Sequence, residues 1–274
     1  MKTFAGRRWL AGLISLVVAA AMSVVLVSHS LSLHGTAYMT GWVLLAVMLF
    51  LAGYNVRKKL TYPPLLKSST WLQMHIWIGY LSVVVFLFHT GFRVPNGPFE
   101  VIFAALYTAL ILSGVFGLFI TRTFPPRMAV RGEEVVFERI AFFRRQVADQ
   151  AETLILDSVK ETNVTTLANF YTRELADFFS RPRHFWRHLF QSNRPLTRYR
   201  SALRAQERYL NDDEQQLAAQ LADLIHLKDA LDFHRALQGT LKGWLFVHIP
   251  LTYVFLMFAV VHVAIVHAFL GGLR

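Results

Sequence analysis

Four histidines set in strongly apolar sequence carry the chemistry that can be read from this chain. His75 and His89 lie in WLQMHIWIGYLSVVVFLFHTGF, and His248 and His262 end the stretch HIPLTYVFLMFAVVH, so each pair is separated by fourteen residues. At 100° per residue, fourteen steps come back to within about 40° of the starting face of an α-helix, and the rise puts the two members about 21 Å apart. An ionisable side chain in a lipid-spanning helix is costly, and it usually faces the inside of a bundle with a function to perform. A lone membrane histidine is readily satisfied by hydrogen bonding inside a bundle. Four at one spacing, on two segments, ask for a common cause.

The histidines sit within long apolar runs. About 20 apolar residues suffice to cross a bilayer, and five such runs stand out, at residues 9–27, 38–54, 71–89, 99–120 and 244–270. Several are edged by Trp or Tyr, as the headgroup region favours. The chain is 54% hydrophobic and only 16% charged, below the quarter usual for a soluble domain. These features predict an all-α membrane protein with five transmembrane helices. The first run follows Lys2, Arg7 and Arg8 as a secretory signal would, but its apolar part is long for one and it reads as a retained helix.

The third and fifth runs are separated by one helix and therefore cross in the same direction. His75 then meets His248 at one level and His89 meets His262 at the other. Two facing imidazoles at each of two depths are what two stacked b-type haems need as axial ligands. Gly79, Ser82, Thr252 and Ala259 are small positions on the ligand-bearing faces, leaving room for a flat macrocycle, while Phe86 and Phe255 fall at intermediate depth and can fill the gap between the two levels. Arg93, just beyond His89, is a candidate partner for the propionates of the outer haem or an interfacial anchor. His29, His34 and His267 read as interfacial imidazoles. His184 and His188 stand four apart without a neighbouring carboxylate and read as part of a surface face. Gly114 and Gly117 are positions for close helix packing.

There is no cysteine, which excludes disulfides, covalently attached c-type haem and cysteine-ligated iron–sulfur or zinc centres within this chain. The net charge of +11 would suit nucleic acid, but its placement speaks for topology instead. Lys2, Arg7 and Arg8 precede the first run, and Arg57, Lys58, Lys59 and Lys67 lie between the second and third, whereas the alternate connections are nearly uncharged. By the positive-inside rule the N-terminus faces the cytoplasm and the C-terminus the periplasm, across the inner membrane.

The chain divides into residues 1–120, with four transmembrane helices, a cytoplasmic insertion at 121–242, and 243–274, the helix that completes the bundle. The insertion holds 16 of the 17 acidic residues and 19 of the 28 basic ones, as a solvated region would. Pro125 and Pro126 are expected to stop the fourth helix. After Gly132 an amphipathic helix is expected, opening on Glu133 and Glu134. A second long helix, N-capped at Asn211 and Asp212, is expected to close at Gly239. Residues 181–208 contain eight arginines against one acid, Glu207, a basic face for anionic headgroups or for an acidic partner.

With its fourteen-residue spacing on two parallel helices, the chain resembles the cytochrome b of the bc complexes, whose four-helix bundle holds two b haems. It is similar, more distantly, to the ferric reductase and NADPH oxidase membrane domain. The resemblance covers about half the chain. It implies that helices two to five form the haem bundle, with His75 and His248 on the cytoplasmic-side iron and His89 and His262 on the outer-side iron. It further implies a di-haem subunit that passes electrons between a quinone pool and partner redox proteins: a c-type cytochrome, an iron–sulfur protein or a flavoprotein. No PEWY-type quinol motif and no GxGxxG occurs, so neither an outer quinol site nor nicotinamide binding is carried over. An outward-directed conduit fed by a separate flavoprotein, and a haem transport or assembly protein, are the alternative readings.

Overall fold

The computed structural model describes residues 4–31, 36–59, 67–131, 135–162 and 166–270. These are helical almost throughout, with no strand among them. In chain order the helices are α1 (Phe4–Leu31), α2 (Thr36–Lys59), α3 (Ser68–His89), α4 (Pro98–Ala129) and α5 (Phe137–Thr162). Then α6 (Thr166–Phe170), a π-helical turn (Tyr171–Leu175) and α7 (Ala176–Ser180) follow one another without a break. Last come α8 (Phe185–Leu189), α9 (Arg194–Glu207) and α10 (Asp212–Leu270).

Among the described residues, α2, α3, α4 and α10 are long and apolar enough to span a bilayer, and α1 contains the apolar stretch Gly12–Ser28. Their outward faces carry large apolar side chains, among them Leu49, Leu72, Leu112, Phe119, Met257 and Val260. So much exposed apolar surface is not tolerated in water. It belongs in lipid. These four helices correspond to four of the five expected spans, and α1 is the helix at the first.

The chain forms two compact units, Met1–Phe116 with Val247–Arg274, and Gly117–Phe246. In the first, α1, α2 and α3 pack on one another, most extensively α2 on α3. Its buried core joins Leu44 and Met48 of α2, Val85 of α3, Tyr107 and Leu110 of α4, and Phe255 of α10.

The second unit is built as a water-soluble helical domain is. On α5, Ile140, Val147, Ala151 and Ile155 recur at helical spacing and are buried. They meet Leu167, Phe170, Leu175, Phe178 and Phe179 of the α6–α7 segment, Leu203 of α9, and Ala218, Leu221 and Ile225 of α10. The start of α10 matches the expected cap. Asn211 Oδ1 accepts from the Glu214 N–H at 2.8 Å, and the Glu214 carboxylate accepts from the Asn211 N–H at 3.3 Å, a reciprocal box that satisfies two otherwise orphaned donors.

Two expected helix ends are overruled. Pro125 and Pro126 lie inside α4, which continues to Ala129. A proline removes a donor and strains the preceding turn, but here Ile120, Phe124 and Met128 are buried against Phe233, Ala236 and Leu237 of α10, and that packing holds the turn helical. Gly239 does not close α10, which runs on through it to Leu270. Glycine ends a helix only where the chain needs a left-handed residue, and at Gly239 no such turn is made. The expected start of α5 at Gly132, Glu133 and Glu134 lies outside the described residues, and the helix itself begins at Phe137.

Candidate haem-binding site

The four histidines of equal spacing all belong to the first unit, two on α3 and two on α10. His89 and His262 face one another with ring centroids 6.1 Å apart and planes nearly perpendicular. His75 and His248 lie close enough to interact electrostatically. Matching members therefore meet at matching levels, as they can only if α3 and α10 run parallel. The two backbones do not pack closely along their length, unlike those of α2 and α3. The histidines meet across a gap bridged by side chains.

Each pair is oriented from behind. His75 Nδ1 donates to the Leu51 carbonyl at 3.1 Å, and His89 Nδ1 donates to the Ala37 carbonyl at 2.9 Å with Thr40 Oγ1 at 3.4 Å. Both carbonyls are on α2. His248 Nδ1 is 3.1 Å from the Ser113 hydroxyl of α4. An Nδ1–H held by a carbonyl fixes the tautomer and leaves the Nε2 lone pair free to bind a metal, which is the usual support of a metal-ligating histidine. His262 is flanked by Phe99 and Phe103, with ring centroids 6.3 and 5.4 Å away.

Between the two levels lies an aromatic layer. Phe86 stacks on Tyr107 at 4.1 Å, Phe103 on Phe255 at 4.9 Å, and the Tyr107 hydroxyl meets the buried Ser82 hydroxyl at 2.9 Å. Phe255, seven residues from each histidine of α10, lies midway between the levels, whereas Phe86, three residues before His89, lies nearer the His89 level. Of the small residues on the ligand faces, Ala259 is buried, and a methyl group built on Gly79 would meet nothing within 4 Å.

These features suit a haem. Two imidazoles bound to one metal at about 2 Å each bring their ring centroids to about 6 Å, the separation seen for His89 and His262. Among the described residues no cluster of three or more histidines and carboxylates could hold a bare metal ion. A macrocycle supplies its own equatorial donors and asks the protein only for axial ones.

The sequence does not point to the supports. Main-chain carbonyls of Ala37 and Leu51 have no residue signature, and Gly41 earns its place only in three dimensions, because a Cβ there would stand 3.0 Å from His89 Cε1. Gly114 similarly lies beside His248, 3.9 Å from its Cε1 when a Cβ is built. Gly117, in the second unit, faces the indole of Trp244 so closely that a Cβ would overlap it.

The remaining candidates separate. Arg93 is exposed in the turn after α3, which passes through left-handed Gly91 and Phe92, and its side chain has no described partner at the histidines. His267 hydrogen-bonds Tyr38 Oη at 3.3 Å and lies edge-on to Trp42 at 5.7 Å. The His29 side chain and His34 lie outside the described residues. The surface reading of His188 is corrected: it is only 1% exposed, and its Nε2 lies 3.7 Å from the Asp229 carboxylate. The carboxylate missing from the local sequence arrives from α10. Burial first, then Arg131, His184 and Lys228, push the His188 pKa down to about 4, so at neutral pH this contact joins a neutral ring to the carboxylate.

Compared with protein-family models, with curated proteins and with solved structures, the chain matches none. The functional reading therefore rests on the site.

Proposed function

We propose that the chain is the di-haem b-type cytochrome subunit of a membrane redox complex, carrying electrons between a quinone pool and partner redox proteins across the bilayer. The observation that carries this reading is the facing pair His89 and His262, with His75 and His248 near each other at a second level and Nδ1 of His75 and His89 tied to α2 carbonyls. His75 with His248, and His89 with His262, would hold one haem each. Bound haem supplies one-electron iron chemistry, which no side chain here can perform.

The chain's own residues orient and insulate. The Leu51 and Ala37 carbonyls hold the imidazoles in one tautomer and raise their basicity as ligands. The layer of Phe86, Tyr107, Phe103 and Phe255 excludes water between the levels. Charged residues are absent from this layer, so the environment is one of low dielectric. The cytoplasmic placement of residues 121–242 follows from the distribution of lysine and arginine.

The reading is tested by adding a quinol to the purified protein in lipid nanodiscs without other redox proteins. Reduction of a low-spin b-type spectrum supports a quinone-coupled subunit. A b-type spectrum that responds only when a flavoprotein and its reductant are supplied would replace it with an outward-directed conduit. Substoichiometric, readily exchanged haem would replace it with a haem carrier.

A further inference from the structure

A cleft in the second unit has the composition of an anion site. It measures about 430 Å³ and is bounded by the residues after α4, one face of α9 and the middle of α10. From the N-cap Asn193 into α9, the positions Asn193, Leu196 and Thr197, Arg200 and Ser201, and Arg204 recur every three to four residues, so a single helical stripe forms one wall. His226, Asp229 and Ala230 of α10 form the other, with Val130 and Arg131 at the end.

The charges in this cleft do not cancel. Arg131 lies over the Phe233 ring at 4.3 Å, bonds Asn193 Oδ1 and sits 3.7 Å from the Asp229 carboxylate, the only acid in the lining. That pair accounts for one positive and one negative charge. Arg200 and Arg204 have no carboxylate partner among the described residues, although their neighbour Arg198 pairs with Glu174 at 3.6 Å and Arg181 and Arg183 both pair with Asp177. Arg181, Arg183 and Arg198 are thus neutralised, whereas the two arginines that face the cleft keep their charge uncompensated, as do Arg187, Arg194 and Arg208 elsewhere in the segment among the described residues. Two uncompensated guanidiniums one turn apart match the charge of a phosphate monoester, which arginine binds with parallel hydrogen bonds. The volume is within the range of small-molecule sites and exceeds that of phosphate alone. Val130, Leu196 and Ala230 offer an apolar wall for an organic remainder.

We propose that this cleft binds a phosphate monoester with an organic moiety, Arg200 and Arg204 holding the phosphate. The ester is either a soluble metabolite or the headgroup of a phosphatidic-acid-like lipid. The proposal stands independently of haem binding.

The test uses the full-length protein in phosphatidylcholine nanodiscs, titrated calorimetrically with adenosine 5′-monophosphate, glucose 6-phosphate and inorganic phosphate. In a parallel arm phosphatidic acid replaces part of the lipid, and occupancy is read by native mass spectrometry. Saturable binding of a soluble ester, or selective retention of phosphatidic acid, supports the proposal and identifies the source. Arg200→Gln and Arg204→Gln, both at exposed positions, should each weaken that binding about tenfold or more, while Arg198→Gln should leave it within about twofold. Failure of all four probes to bind overturns the proposal, as does binding that is unchanged in both cleft variants.

Discussion

At the scale of single residues, the recurring device is a histidine whose role is set by what stands behind it. His75 and His89 have Nδ1 committed to backbone carbonyls, so only Nε2 faces the bundle. His188 has a different surrounding and a different consequence. It is buried among Arg131, His184 and Lys228 and stays neutral down to about pH 4, whereas an unfolded imidazole takes up its proton near 6.5. Between those values the unfolded chain binds a proton that the folded chain refuses, so stability present above pH 6.5 is lost as pH falls toward 4. A glutamine at this position has no such dependence. Lowering pH from 7 to 4.5 should therefore destabilise the wild type by up to about 3 kcal/mol more than His188→Gln, read as amide exchange in α5 and α9. Asp229 touches His188 and titrates in the same window, so Asp229→Asn is introduced in both proteins for the comparison. Parallel pH curves would show that His188 titrates normally.

At the scale of elements, the informative contrast is between helix starts and helix ends. The start of α10 was legible because Asn211 and Glu214 are local and polar, and the structure closes both hydrogen bonds of the box. Asn211→Ala should cost about 1 kcal/mol, measured as a lowered melting temperature and faster exchange in the first turn of α10. No change in either would mean that the cap is redundant with the burial of Glu214. The ends were not legible, because Pro125, Pro126 and Gly239 break helices only when nothing distant opposes them. The packing of Phe124 and Met128 on Phe233 and Leu237 joins residues more than 100 positions apart, and no local pattern announces it. The fourteen-residue period that sets His75 over His89 and His248 over His262 is, by contrast, a local fact of each helix. His188 was misread because its carboxylate neighbour comes from α10.

At the scale of the whole molecule, the sequence divides its labour sharply. The segments with apolar outer faces carry the paired histidines, and the segment from 121 to 242 carries 16 of the 17 acids. By the positive-inside rule we propose that this segment faces the cytoplasm and the C-terminus the other side. A periplasm-dependent reporter should be active after Arg274 and silent within residues 140–230, and a cytoplasm-dependent reporter should give the reverse. The opposite pattern would exchange the compartments that the two histidine levels face.

We propose that His75 and His248 share one haem and that His89 and His262 share another. This pairing is tested most directly by counting haem in the purified protein by pyridine haemochrome, and by following redox midpoints in the four single His→Ala variants. The wild type should hold two low-spin b haems per chain. His75→Ala and His248→Ala should each lose the same midpoint and keep the other, while His89→Ala and His262→Ala should share the complementary loss. A single haem in the wild type, or His75→Ala sharing its phenotype with His262→Ala, would rule out this pairing.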